Sequence, residues 1–251
     1  GVQTCALPIL FAPAALGRVL AAIADPAVHI VSSTVTEKGY SLQPASGALD
    51  LADPDLAHDL QQPDAPRSTL GVLAAGLLRR DAHAPLTVLC CDNMAANGAT
   101  VQRLLAAYAE RACPALLPRL GDGSIGFPST MVDRIVPAAT SATLDAAQQR
   151  LGLRDALAIT CEPFTQWVIE DRFAGPRPAW ERAGALFTAD VRPFQAMKLR
   201  LLNGSHSAIA YLGLLRGHAT VAEAMADPLL RRSVCSLMVD ELMPTVQVPG
   251  G

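Results

Sequence analysis

Leu86-Thr-Val-Leu-Cys-Cys91 is a short, nearly unbroken apolar run. Such a run suits a parallel strand buried on both faces, where alternation of polar and apolar residues is not required. Asp92-Asn93 and Asn97-Gly98 follow it, and Thr100 to Arg111 then takes up helical spacing. Working outward, the same order recurs. Ala14 to Ala24 has helical spacing and is closed by Asp25-Pro26, and Val28 to Thr36 is rich in β-branched residues and reads as a strand. Leu70 to Arg80 is an amphipathic helix with cations in its last turn. Val132 to Val136 and Ala156 to Cys161 are weaker strand candidates, and Gly39 to Pro66, full of Pro, Asp, Gly and Ser, reads as a long loop. Strands alternating with helices of these lengths predict an α/β domain with a mostly parallel sheet.

The character changes near Asp190. Lys198 to Arg216, Val221 to Ala226 and Pro228 to Leu242 all read as helix with no strand between them, so an all-helical segment is expected over 191–251. Residues 1–9 resemble a translated sequencing adapter and are set aside, which leaves 10–190 as the α/β part. The last ten residues, from Leu242, are loop chemistry directly after a helix, and an interrupted reading frame at both ends is the working expectation.

Composition narrows the function classes. The chain has 251 residues, 51% of them hydrophobic and 17% charged, with a net charge of -3. It lacks the basic footprint of a nucleic-acid binder and the low hydrophobicity of a disordered chain. Of 20 basic residues only Lys38 and Lys198 are lysine, so each invites a question about its purpose. Six cysteines are scattered among apolar neighbours, none in a C-x-x-C pair or at zinc spacing. That pattern fits a reducing, cytoplasmic setting and predicts no metal site. The uncharged stretch from Leu201 to Leu215 carries Asn203, Ser205, His206 and Ser207 and is too short and polar to span a membrane.

Gly121-Asp-Gly-Ser-Ile-Gly126 fits the dinucleotide spacing G-x-G-x-x-G. That spacing carries meaning only after a strand and before a helix. Pro114, Pro118 and Phe127-Pro128 flank it here, so it is read as a decoy.

Four stretches could carry chemistry. In Lys198-Leu-Arg-Leu-Leu-Asn203-Gly-Ser-His206, helical spacing of about 100° per residue puts Asn203 roughly 140° and His206 roughly 80° from Lys198. A desolvated lysine has a lowered pKa and can take a hydroxyl proton; an amide can hold a developing alkoxide; an imidazole can bind a neighbouring hydroxyl. The plain alternative is a surface helix with Asn203 and His206 as a satisfied polar pair. Cys91-Asp-Asn93 lies where a strand ends and a helix begins, the edge at which open parallel sheets take ligands. Against that, Asn97 could simply cap the helix at Thr100. Thr34-Val-Thr-Glu37-Lys-Gly-Tyr40 is also at a strand end, and Asp133 beside Arg134 could be a solvated pair.

Taken together the motifs resemble the polyol-specific long-chain dehydrogenases, among them mannitol 2-dehydrogenase, D-mannonate oxidoreductase and the fructuronate and tagaturonate reductases. The matching stretches are Thr34 to Tyr40, Cys91 to Gly98, Phe127 to Arg134, Glu162-Pro-Phe-Thr-Gln-Trp-Val-Ile-Glu-Asp171 and Lys198 to His206, in family order. The resemblance implies an incomplete Rossmann-like domain over 10–190, followed by the start of an α-helical substrate domain over 191–251. It implies a metal-independent oxidoreductase using NAD or NADP. Such an enzyme interconverts a secondary alcohol of a polyol or aldonate and the ketose or ketouronate. By the same resemblance Lys198 is the general acid/base, Asn203 and Asn93 are the oxyanion amides, His206 and Asp133 bind substrate, and Thr36 and Glu37 lie near the nicotinamide. The implied partner is a small polyol or sugar acid, with no nucleic acid or membrane and a monomer or weak oligomer. Three departures stand out: the family's glycine-rich pyrophosphate turn is not found, nor are its further C-terminal helices, and Gln195 occupies a position where many members have glutamate. A truncated remnant that binds no cofactor is therefore the alternative.

Overall fold

The computed structural model of the chain describes residues 12–35 and 37–247. They form two compact units: one comprises residues up to Thr130 with Ile169–Ala183 and Phe187–Ala189, and the other Met131–Val168, Gly184–Leu186 and Asp190 onward.

The first unit is built on a three-stranded parallel sheet of order β1-β2-β3, with β1 at Ile30–Ser33, β2 at Leu86–Cys90 and β3 at Ile125–Gly126. Ile30 lies opposite Thr87 and Ser33 opposite Cys90, so β1 and β2 end together. Every residue of β2 is buried, as expected of a central parallel strand. Helices α1 (Ala12–Ala24), α2 (Pro54–Gln61), α3 (Thr69–Arg79), α4 (Asn97–Ala112) and α5 (Leu117–Gly121) complete it. Leu70 and Leu77 of α3, Leu104, Leu105 and Tyr108 of α4, and Val88 of β2 share one core. The approach of α1 to α3 is so close that a Cβ on Gly76 would stand 2.5 Å from the Ile23 side chain.

Two buried polar side chains fix the connections. The Arg80 guanidinium, almost fully buried, donates to the carbonyls of Ile23, Asp25, Val28, Ala84 and Pro85, at 2.6–3.0 Å. It thereby satisfies the end of α1 and the entries to β1 and β2 in one step. Asp59, fully buried on α2, accepts from the backbone N–H of Arg67 and Ser68 and from the Ser68 hydroxyl, at 2.7–2.8 Å. Ser68 in turn caps α3 through Gly71 N–H.

Helix α2 corrects the sequence reading of Gly39 to Pro66 as one long loop. Asp53 accepts from Asp55 and Leu56 N–H, Pro54 fills the first helical position, and Leu56 reaches the core. The decoy glycines run from the end of α5 through an Asp122 turn into β3. That order, helix then strand, is the reverse of a phosphate-binding turn.

A second three-stranded sheet has the order β4-β5-β6, with β4 at Thr130–Asp133, β5 at Gln166–Glu170 and β6 at Leu186–Thr188. Helix α6 (Ser141–Leu151) lies between β4 and β5 in sequence. Two strand expectations are corrected here. The strand expected at Val132 to Val136 begins at Thr130 and is over by Asp133, with Ile135 and Val136 exposed. The strand expected at Ala156 to Cys161 is irregular chain with Leu157 and Ile159 exposed; β-branched and apolar character alone does not make a strand without a partner edge.

The helical part of the second unit runs through α7 (Arg192–Met197), a π-helical stretch at Lys198–Gly204, α8 (Ser205–Leu215), α9 (Val221–Ala226) and α10 (Pro228–Ser236), with a second π-helical stretch at Leu237–Leu242. No strand interrupts it. Ile209, Ala224, Leu230 and Val234 form its small core. No helix among the described residues is long and apolar enough to cross a membrane.

Candidate active site

In the second unit the site starts from packing. Met131 of β4, Val168 of β5 and Val191 form a buried cluster against which Phe194 of α7 packs. This seats α7 on the sheet and delivers the next turn of helix, which opens with Lys198, to the end of β4. The Lys198 ammonium donates to the Val132 carbonyl and lies 3.9 Å from Asp133 Oδ1. Its side chain is 11% exposed and that of Asp133 16%. Burial lowers the lysine pKa below its ordinary value, because desolvation penalises the ammonium, and the Asp133 charge opposes part of that drop. The helical run that Lys198 opens is largely exposed, but the Lys198 side chain itself is mostly buried.

The π-helical stretch changes the facial geometry read from the sequence. In an i→i+5 helix the fifth residue on stands about one turn above the first, so Asn203 shares the face of Lys198 more nearly than α-helical spacing allows. Single π turns of this kind recur at functional sites. Asn203 and His206 are exposed, with His206 Nδ1 2.9 Å from the Leu202 carbonyl. Gln195 is buried one turn before the lysine.

In the first unit the turn from Cys91 to Ala96 leaves the carboxyl end of β2. Asn93 is exposed on it, and its N–H donates to Asp92 Oδ1 at 2.6 Å. The reading of Asn97 as merely the cap of α4 is overturned. The cap position is Ala96, in the left-handed region at φ 45°, and no side chain caps the helix there. Asn97 itself is completely buried and bonds the Asp92 and Thr130 carbonyls and the Thr130 N–H. A Cβ on Gly98 would stand 2.4 Å from the Phe127 carbonyl oxygen, so the start of α4 lies directly on the Phe127–Thr130 backbone.

The turn leaving β1 is held by Tyr40. Its phenol lies 2.6 Å from Ser33 Oγ and 3.1 Å from Cys90 Sγ, all at the shared end of β1 and β2. Burial pushes the phenol well above its usual pKa and raises that of the thiol, so both stay neutral and serve as hydrogen-bonding groups. Glu37 opens the short 3-10 turn that ends at Tyr40, whereas Thr36 lies outside the described residues.

The structure therefore brings Lys198 and Asp133 together, places Asn203 and His206 on the same helical segment, and carries Asn93 on the other unit. Two contributors escaped the sequence reading. The Val132 carbonyl is backbone and leaves no residue signature. Asn97 was visible inside the Cys91 to Gly98 motif, but its span to Thr130 needed the fold.

Residues 12–182 match the mannitol dehydrogenase Rossmann domain and residues 190–251 the mannitol dehydrogenase C-terminal domain. D-mannonate oxidoreductase of Escherichia coli K12 is 48% identical over 235 residues, covering 93% of this chain and 48% of that protein. Mannitol 2-dehydrogenase of Aspergillus fumigatus CBS 144.89 is 41% identical over 249 residues, covering 96% of this chain and 49% of that protein. Pseudomonas fluorescens mannitol 2-dehydrogenase, solved as a ternary complex with NAD and D-mannitol, superposes with a TM-score of 0.87 at 39% identity, over 96% of this chain and 50% of its own. The chain thus spans about half the length of the curated relatives it matches. With both domain models matched in order along 12–251, the chain belongs to the mannitol dehydrogenase family.

Proposed function

We propose that this chain carries the reaction centre of a metal-independent oxidoreductase acting on a secondary alcohol of a polyol or aldonate. One observation supports the reading above others: a lysine amine, mostly removed from water and with its pKa lowered, held at a strand end beside a carboxylate. A lysine so placed gives up its own proton more readily, and in its neutral form can accept a hydroxyl proton. NAD is the cofactor we infer, from its presence in the complex of the Pseudomonas relative. Parallel strands β1 and β2 end together at Ser33 and Cys90, and the turns beyond them offer the edge where open sheets receive nucleotides. The segment that includes Thr36 and Glu37 would hold the nicotinamide end.

When bound, the nicotinamide supplies the hydride acceptor or donor. In oxidation Lys198 Nζ takes the proton of the carbinol O–H, while the C–H electron pair leaves as hydride. The carboxamides of Asn203 and Asn93 donate to the oxygen as negative charge builds on it. His206 binds a neighbouring hydroxyl, and Asp133 binds substrate while its charge favours the protonated lysine. In reduction the lysine ammonium returns the proton to the ketose oxygen. Gln195 cannot titrate, so the proton leaves Lys198 by a route that does not ionise at that position. Cysteines scattered among apolar neighbours, with none in a C-x-x-C pair, suit a reducing compartment.

The reading is tested on a protein of the relatives' length carrying this chain, assayed with hexitols, pentitols and aldonates and with NAD and NADP. Turnover should appear for one of these classes, and Lys198→Ala should lower kcat by roughly 10²–10⁴-fold with cofactor affinity nearly unchanged. An absence of turnover with every substrate, or full activity in the variant, would refute it. Titrating the chain itself with NADH decides the alternative, a remnant without cofactor affinity.

A further inference from the structure

A buried amide at the start of α4 has no part in the chemistry above, yet it holds the turn on which Asn93 sits. The Asn97 side chain treats Thr130 as a neighbouring strand would. Its Oδ1 accepts the Thr130 N–H at 2.9 Å and its Nδ2 donates to the Thr130 carbonyl at 3.1 Å. The same Nδ2 donates to the Asp92 carbonyl at 2.8 Å. Asp92 C=O and Asn93 N–H belong to one planar peptide. That peptide is therefore pinned on both edges, by Asn97 on the carbonyl side and by the Asp92 carboxylate on the N–H side. Neighbouring bonds tie the same region down. The Thr130 hydroxyl donates to the Cys90 carbonyl at 2.7 Å, and Gly98 N–H donates to Ser129 Oγ at 3.2 Å. Ala96 is bent into the left-handed region immediately before Asn97, which turns the amide inward.

We propose that Asn97 is a positioning residue: its carboxamide fixes the Asp92–Asn93 peptide against Thr130 and so sets where the Asn93 side chain stands. The catalytic consequence rests on the role proposed above for Asn93; the clamp itself does not. A donor to a developing oxyanion must be placed to within a fraction of an ångström, and displacement by about 1 Å can cost on the order of 10²-fold in rate.

Amide hydrogen exchange on this chain reads the clamp without any activity. In Asn97→Ala the peptide covering Cys91 to Ala96 should exchange at least roughly tenfold faster while the rest of the first unit keeps its protection. Asn97→Asp, which keeps the size and the acceptor for Thr130 N–H but cannot donate as a carboxylate, should loosen the same peptide if the alanine variant folds poorly. Asp59→Asn, a change in a remote buried carboxylate of the same unit, should leave that peptide at its native rate. In the relative-length protein, Asn97→Ala should lower kcat by about tenfold or more, with polyol KM and cofactor affinity within roughly threefold. Unchanged exchange at Cys91 to Ala96 would overturn the clamp whatever the activity. Faster exchange with unchanged kcat would overturn its catalytic consequence. A lack of turnover in the unaltered protein would count against the proposed reaction and that consequence, while the exchange result still decides the clamp.

Discussion

In the first unit Leu70, Leu77, Leu86, Leu104 and Leu105 are all withdrawn from solvent around one strand, and Arg80 and Asp59 satisfy the chain ends nearby. In the second unit, among the described residues, the helical core is the small cluster of Ile209, Ala224, Leu230 and Val234, and one helix, α8, leaves Tyr211, Leu214 and Leu215 exposed at 72%, 74% and 84%. The contrast separates two ways of holding a functional group. The Asn93 turn hangs from a deep core and a network of buried polar bonds. Lys198 is held by thinner packing, with Phe194 on a three-residue cluster and a carbonyl at the end of β4.

That difference can be broken by substitution. Arg80→Ala should have the largest effect on stability. It strands five backbone carbonyls, one buried and four part-buried, each costing about 1–3 kcal/mol where water cannot reach, so a loss of roughly 3–5 kcal/mol is expected after relaxation. Urea unfolding followed by hydrogen exchange should show the loss in the first unit; an equal loss of protection around Leu230 would mean that the units unfold as one and the contrast is false. Leu230→Ala, in the small helical cluster, should cost about 2 kcal/mol, the low end for a buried leucine, because so thin a core can close over the gap. A larger cost, with protection lost in the first unit too, would show that the second unit is packed as tightly as the first.

The sequence made one side of the comparison easier to read than the other. Leu86 to Cys90 is apolar because both faces are covered, and that periodicity is local. The helices after Asp190 were legible for the same reason. Helix α2 was hidden because its composition is polar and only Asp53-Pro54 marks its start. The run at Ala156 to Cys161 misled because a strand exists only where an edge awaits it. At the site, Lys198 stood out by rarity and spacing. The π turn beneath it did not, since uniform α-helical spacing was assumed, and neither did its backbone acceptor at Val132. Asn97 looked like a cap because sequence distance hid the strand opposite.

The central claim is that Lys198 carries its proton less firmly than an ordinary lysine. Because the chain has only two lysines, Lys38→Arg leaves a single lysine signal when the protein is labelled with ¹³C at the lysine ε-carbon. Titration of that signal should give a midpoint below 10.5, with the ammonium lost as pH rises through it, and Asp133→Asn should lower the midpoint further by removing the charge that favours the ammonium. A midpoint at or above 10.5, unmoved by Asp133→Asn, would contradict the account.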